Sequence, residues 1–168
     1  MIALLFAGLA LAAAPTLVEA RPVRFKQAHL FQWSAPPRPV QEGVVLVLGV
    51  DPEQARPRQG PHPVLYVGDT PAERLSWSST APTLVVFAPG PVDLASTPVF
   101  WGDERLPEQV DAAHGRAQRA RAEAEGARPF TAEQLRAATG APLLVDDSAS
   151  LYEAVAPIVD RVAPLPAP

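Results

Sequence analysis

The 21 prolines of this chain constrain its fold more than any other feature, because each fixes φ and removes a backbone donor. Regular structure is confined to the stretches between them, and the prolines mark where those stretches stop.

Strand patterns fill the first of these stretches. Val23 to Trp33 places Val23, Phe25, Phe31 and Trp33 on one parity and Arg24, Lys26 and Gln32 on the other, the alternation of a half-buried strand. Ser34 to Glu42, with Pro36, Pro37 and Pro39, is a linker or an edge segment. Val44 to Val50 is apolar throughout and rich in β-branched residues, which predicts a strand buried on both faces at the centre of a sheet. Asp51 to Pro63 is a loop, and Val64 to Val67 a third strand closed by Gly68-Asp69. Thr70-Pro71-Ala72-Glu73 has the residues of a capping box with proline at the first helical position, so helical turns are expected through Leu75. A loop from Ser76 to Ala81 carries Trp77, and Thr83 to Ala88 and Val99 to Trp101 are two further strands.

Helices dominate the C-terminal part of the chain. Pro107 opens a helix expected to run to Glu125, burying Val110, Ala113, Ala117, Ala120 and Ala124. Thr131 and Gln134 form a second capping box for a helix to Thr139. Leu143 to Val145 is a short strand, and Ser150 starts a last helix that Pro157 should kink or interrupt. The fold class is therefore α+β: one small domain, residues 21–162, with a mixed sheet of about five strands in its N-terminal two-thirds and two to three helices toward the C-terminus. Residues 163–168 make a flexible, proline-rich tail.

An internal echo accompanies this pattern. Pro63-Val64-Leu65-Tyr66-Val67-Gly68-Asp69 and Pro98-Val99-Phe100-Trp101-Gly102-Asp103 share their order of residue types, and two strand-turn-helix units in one sheet are expected from it.

The N-terminus bears on location. An apolar run from Ile2 to Ala14 and the pattern Val18-Glu19-Ala20 match a secretory leader cut after Ala20, so residues 1–20 are expected to be a cleaved signal peptide. The run is shorter than the about 20 residues a helix needs to span a bilayer, so no membrane span is expected once the leader is removed. The expected location is the periplasm or the extracellular space. With no cysteine, an exported fold here rests on packing without disulfides, and thiolate chemistry is excluded. A net charge of -4 gives no basis for nucleic-acid binding.

Candidate chemistry is sparse. If the two Gly-Asp strands run parallel, Asp69 and Asp103, with Glu104 beside the latter, share a rim of the sheet where they would bind a hard cation or act as an acid/base pair. The competing reading makes them turn and helix-start residues. His114 lies one helical turn after Asp111, but no histidine-rich spacing accompanies it, and neither a metal nor any other cofactor is expected. No Gly-x-Ser-x-Gly elbow and no glycine-rich phosphate loop occurs. Trp77 would offer a stacking platform, or else be buried where its loop folds back over the core, and Arg56 and Arg58, near His62, would form a small basic cluster for an anionic ligand, or else a solvated loop.

These residues support three functional readings. The leading one is a non-enzymatic exported domain that binds another envelope protein or a peptide, or serves as a structural accessory. The second is a carboxylate- or metal-dependent hydrolase of envelope material using Asp69, Asp103 and Glu104. The third is a binding module for a sugar or peptide using Trp77, Arg56 and Arg58.

Overall fold

The computed structural model describes residues 13–25, 42–56, 59–77, 83–106, 109–145 and 151–162. The run 44–50 forms the middle of β2 (Glu42–Gly49), and the structure places it where an all-apolar strand belongs. β2 pairs antiparallel with β1 (Thr16–Phe25) on one side and with β6 (Thr83–Pro89) on the other. Val45, Leu46, Val47 and Leu48 are all 0–1% exposed. Each such side chain stabilises the fold by roughly 1.5–3 kcal/mol relative to exposure.

Both faces of β2 are covered, and by different partners. Val45 and Val47 join Val23, Val85, Phe87 and Val145 under Leu151, Val155 and Ile158 of helix α4 (Leu151–Val162). Val44, Leu46 and Leu48 point the other way, against Leu65, Val67 and Val99 of a second sheet. The larger sheet has the order β5-β6-β2-β1-β8, where β5 is Glu73–Trp77 and β8 is Leu143–Val145. It is mixed, because β8 runs parallel to β1 while the other pairs are antiparallel. The smaller sheet has the order β4-β3-β7, with β3 at His62–Val67, β4 at Thr70–Pro71 and β7 at Val99–Arg105. Its outer face packs Tyr66 and Phe100 against Ala122 of helix α2 (Ala112–Ala124). The layers therefore run α4, five-stranded sheet, three-stranded sheet, α2. Two shorter helices, α1 (Pro52–Ala55) and α3 (Ala132–Ala138), complete the described elements. No helix among the described residues is long and apolar enough to cross a membrane.

The α+β class and the central position of β2 stand as expected from sequence, as do α3 with its Thr131/Gln134 capping box and the short strand β8. Other expectations need correction. The first strand lies at Thr16–Phe25, not Val23–Trp33, and residues 26–33 fall outside the described residues. The bond after Ala20, expected as the leader cut, sits inside this strand: Ala20 is 1% exposed and pairs with Leu46, while Arg21 pairs with Val45. In this chain Thr16 to Ala20 belong to the sheet.

The helix expected at Thr70–Leu75 is instead two strands. Gly68, at φ 62, turns the chain back so that Thr70 pairs with Val67. After Ala72 the chain leaves the small sheet, and β5 pairs with β6 as the edge of the large one. Pairing with the preceding and the following strand satisfies more backbone groups than one or two helical turns, and this pairing overrides the local capping signal. The expected loop after Asp51 contains α1, where the Asp51 N–H donates to Gln54 Oε1 at 3.0 Å. α4 continues past Pro157, which lies on its exposed side. The tail at 163–168 lies outside the described residues.

The internal echo has a different outcome from the one expected. Its two copies are neighbouring strands, β3 and β7, paired antiparallel with Val67 opposite Val99 and Tyr66 opposite Phe100. Only the second leads toward a helix.

Candidate functional site on the outer face of the small sheet

Helix α2 is the element that brings polar chemistry together. Its start is set by Asp111, whose carboxylate accepts the backbone N–H of His114 at 2.7 Å. The helix thus begins after Asp111, not at Pro107, and Asp111 serves as a cap, not as a partner of the His114 ring. The face turned inward is not the alanine stripe. Ala113, Ala117, Ala120 and Ala124 are not among its buried residues, which are Gly115, Gln118 and Ala122.

Gly115 and Gln118 explain that choice. A Cβ at position 115 would overlap the carbonyl oxygen of Asp69, so only glycine lets the helix lie against the β3–β4 turn. Gln118, 5% exposed, bonds β7 twice: its Nε2 donates to Asp103 Oδ2 and its Oε1 accepts the Asp103 N–H, both at 2.9 Å. Gly102 makes room for this, since a Cβ there would crowd both the Tyr66 ring and Gln118 Oε1. The exposed part of α2 extends the network outward. Arg121 donates to Asp103 Oδ1 and, at 2.9 Å, to Gln118 Oε1. Arg119 bonds Glu123 at 2.8 Å and reaches Asp69 Oδ1 at 3.4 Å.

This geometry decides what the acids can do. β3 and β7 run antiparallel, not parallel, so Asp69 lies beyond the Val67/Val99 end of the pair. Asp103 is displaced from that end by about 13 Å of strand. The structure therefore does not put the two carboxylates on one rim. Both Asp103 oxygens are occupied, and the Arg121 hydrogen bond, helped by Gln118, holds the carboxyl below the ordinary aspartate value of 3.8 in spite of partial burial. A general acid needs the opposite shift. Glu104 is exposed opposite Pro63. No group of three or more His, Asp or Glu side chains that would hold a metal occurs among the described residues.

Beneath the network lies an aromatic layer. Tyr66, 0% exposed, stacks on Phe100 with ring centroids 5.5 Å apart and faces His114 at 6.3 Å. Burial pushes the Tyr66 hydroxyl above its ordinary pKa. Among the described residues, Tyr66 OH and His114 Nε2 are buried polar atoms without a protein hydrogen-bond partner.

Of the third set of candidates, Arg56 alone has a described side chain. Arg56 is exposed at the end of α1 and pairs with Glu53 at 2.9 Å. Arg58 lies outside the described residues, and Trp77 pairs with Leu84 at the end of β5. His62 Nδ1 lies 3.0 Å from the Gly60 carbonyl.

Sequence reasoning passed over Gly115, Gln118, Arg119 and Arg121. One signal was there to find: a glycine inside a helix costs about 1 kcal/mol relative to alanine, so Gly115 needed a packing reason. No protein-family model matches the chain, and no curated protein or solved structure matches it either.

Proposed function

We propose that the chain is an exported, periplasmic or extracellular domain that binds a protein or peptide partner of the cell envelope, or serves there as an accessory, without catalysing a reaction. The observation that carries this reading is the commitment of Asp69 and Asp103 to separate arginines of α2, with Asp103 held ionised by Arg121. A carboxylate held ionised beside an arginine is poorly suited to donate a proton, which argues against Asp103 as the acid of an acid/base pair. Export is supported by the apolar run Ile2 to Ala14. Binding is supported by Leu144, 60% exposed on β8, the last strand of the large sheet among the described residues.

Cosedimentation of the purified protein with isolated envelope material, with and without added magnesium, tests the reading. The expected result is binding without release of soluble fragments, weakened by Leu144→Asp. Release of fragments that Asp69→Asn or Asp103→Asn abolishes would contradict it and favour the hydrolase.

A further inference from the structure

Tyr66 carries a phenol into the apolar layer under α2. Its side chain is 0% exposed and packs with Phe100 and Ala122, with Val64 and Val110 beside them, yet its buried hydroxyl bonds no protein group among the described residues. His114 Nε2 is in the same position across the interface, buried and without a protein partner. The two rings are neighbours, 6.3 Å apart between centroids and tilted by 59°. One unpaired atom therefore belongs to β3 and the other to the first turn of α2. Folded proteins leave few buried polar atoms unpaired, because each forfeits the hydrogen bonds it made in water.

The charges nearby do not relieve the hydroxyl. Arg105, Asp103 and Asp111 are close enough for their charges to act on it. Arg105 can only donate, which leaves the hydroxyl proton without an acceptor. Asp103 has both oxygens bound, by Gln118 and Arg121, and Asp111 Oδ1 takes the His114 backbone N–H at the helix start. Burial, outweighing the opposing charge of Arg105, raises the tyrosine above its ordinary value, so the group stays an O–H donor. His114 Nε2 donates or accepts according to its tautomer. A water molecule meets either case, since it both donates and accepts, and it can join polar atoms that do not bond each other directly.

We propose that Tyr66 and His114 form an internal binding site for one water molecule, which bridges β3 to the first turn of α2 and belongs to the docking of that helix. It would add a polar attachment at the start of α2 to the one that Gln118 makes further along.

Tyr66→Phe removes the hydroxyl and keeps the ring, and the sign of its effect is decisive. An unpaired hydroxyl costs stability, so deleting it from a dry site lowers the unfolding constant. A hydroxyl bonded through water stabilises, and deleting it raises that constant. The expected result in denaturant melts of the full chain is a rise of about tenfold. A crystal structure of the full chain, at a resolution that places ordered water, should show one water about 3 Å from both Tyr66 Oη and His114 Nε2. An unfolding constant left unchanged or lowered by Tyr66→Phe would overturn the proposal. So would a crystal structure with no water between the two atoms, whether the hydroxyl then bonds His114 directly or another protein group.

Discussion

Helices α4 and α2 cover the two outer faces of the same pair of sheets, and they are held there by different physics. α4 presents Leu151, Val155 and Ile158, all 2–4% exposed, to the valines and Phe87 of the large sheet. α2 presents a glycine, a glutamine and an alanine to the small sheet, and its grip comes from a backbone contact at Gly115, hydrogen bonds through Gln118 and partly exposed ion pairs. Apolar burial responds little to pH, whereas ion pairs at 41–44% exposure are screened by salt and lost on protonation. One domain thus carries a helix fixed by area and a helix fixed by polar matching. The second is the one whose attachment conditions can change.

The largest expected effect breaks the apolar side. Val47→Asp places an unpaired charge between β2 and α4, at a cost that exceeds about 4 kcal/mol, and no soluble folded protein should be recovered. A well-folded variant in circular dichroism and gel filtration would remove β2 from the centre of the fold's stability. On the polar side, Gly115→Val should cost about 1–3 kcal/mol by overpacking against the Asp69 carbonyl, which as backbone has little freedom to give way. Denaturant melts would report that loss, and a neutral result would mean that α2 does not dock through this contact. Gln118→Ala leaves the Asp103 N–H without its partner and strips one bond from the carboxylate, at a cost of about 1–3 kcal/mol in the same melts. Replacement by the shape-matched Gln118→Glu should not restore stability, because a carboxylate cannot donate to Asp103. Smallest of all, Asp69→Asn should cost about 1 kcal/mol or less, since its link to Arg119 is long and exposed.

The contrast between the helices also marks how far the sequence could be read. β2 was legible because a run buried on both faces needs no partner to be recognised: every residue from Val44 to Leu48 is apolar. α3 was legible because Thr131 and Gln134 satisfy each other within one turn. The buried face of α2 was hidden for a physical reason. Its alanines form the most apolar stripe, but the surface it meets offers the Asp69 carbonyl and the Asp103 amide, which select glycine and glutamine instead. Strands β4 and β5 were hidden because the Thr70–Glu73 capping pattern is read within one helical turn, while the pairings that win, with the strand before and the strand after, lie just outside it. For β1 the difficulty was a coincidence of patterns. Ala20, buried in the sheet, is also the small residue that ends a leader's cleavage pattern. The candidate site had the same mixed outcome: Asp69 and Asp103 could be singled out by their Gly-Asp context, but their arginine partners are set by an antiparallel register that no local pattern reveals.

The division of labour between the two helices is tested most directly by native-state hydrogen exchange of α2 and α4 amides across an acid titration at fixed ionic strength. The folded Asp103 carboxyl titrates below its ordinary value, chiefly because Arg121 bonds its ionised form. Its stabilising contribution is therefore complete above the unfolded value of 3.8 and is lost as pH falls through the lower, folded value. Between neutral pH and about pH 2, opening free energies derived from exchange, corrected for the intrinsic rate, should drop for α2 while those of α4 hold or fall less. Equal losses in the two helices, or an earlier loss in α4, would contradict the claim that α2 is held by polar matching and α4 by apolar burial.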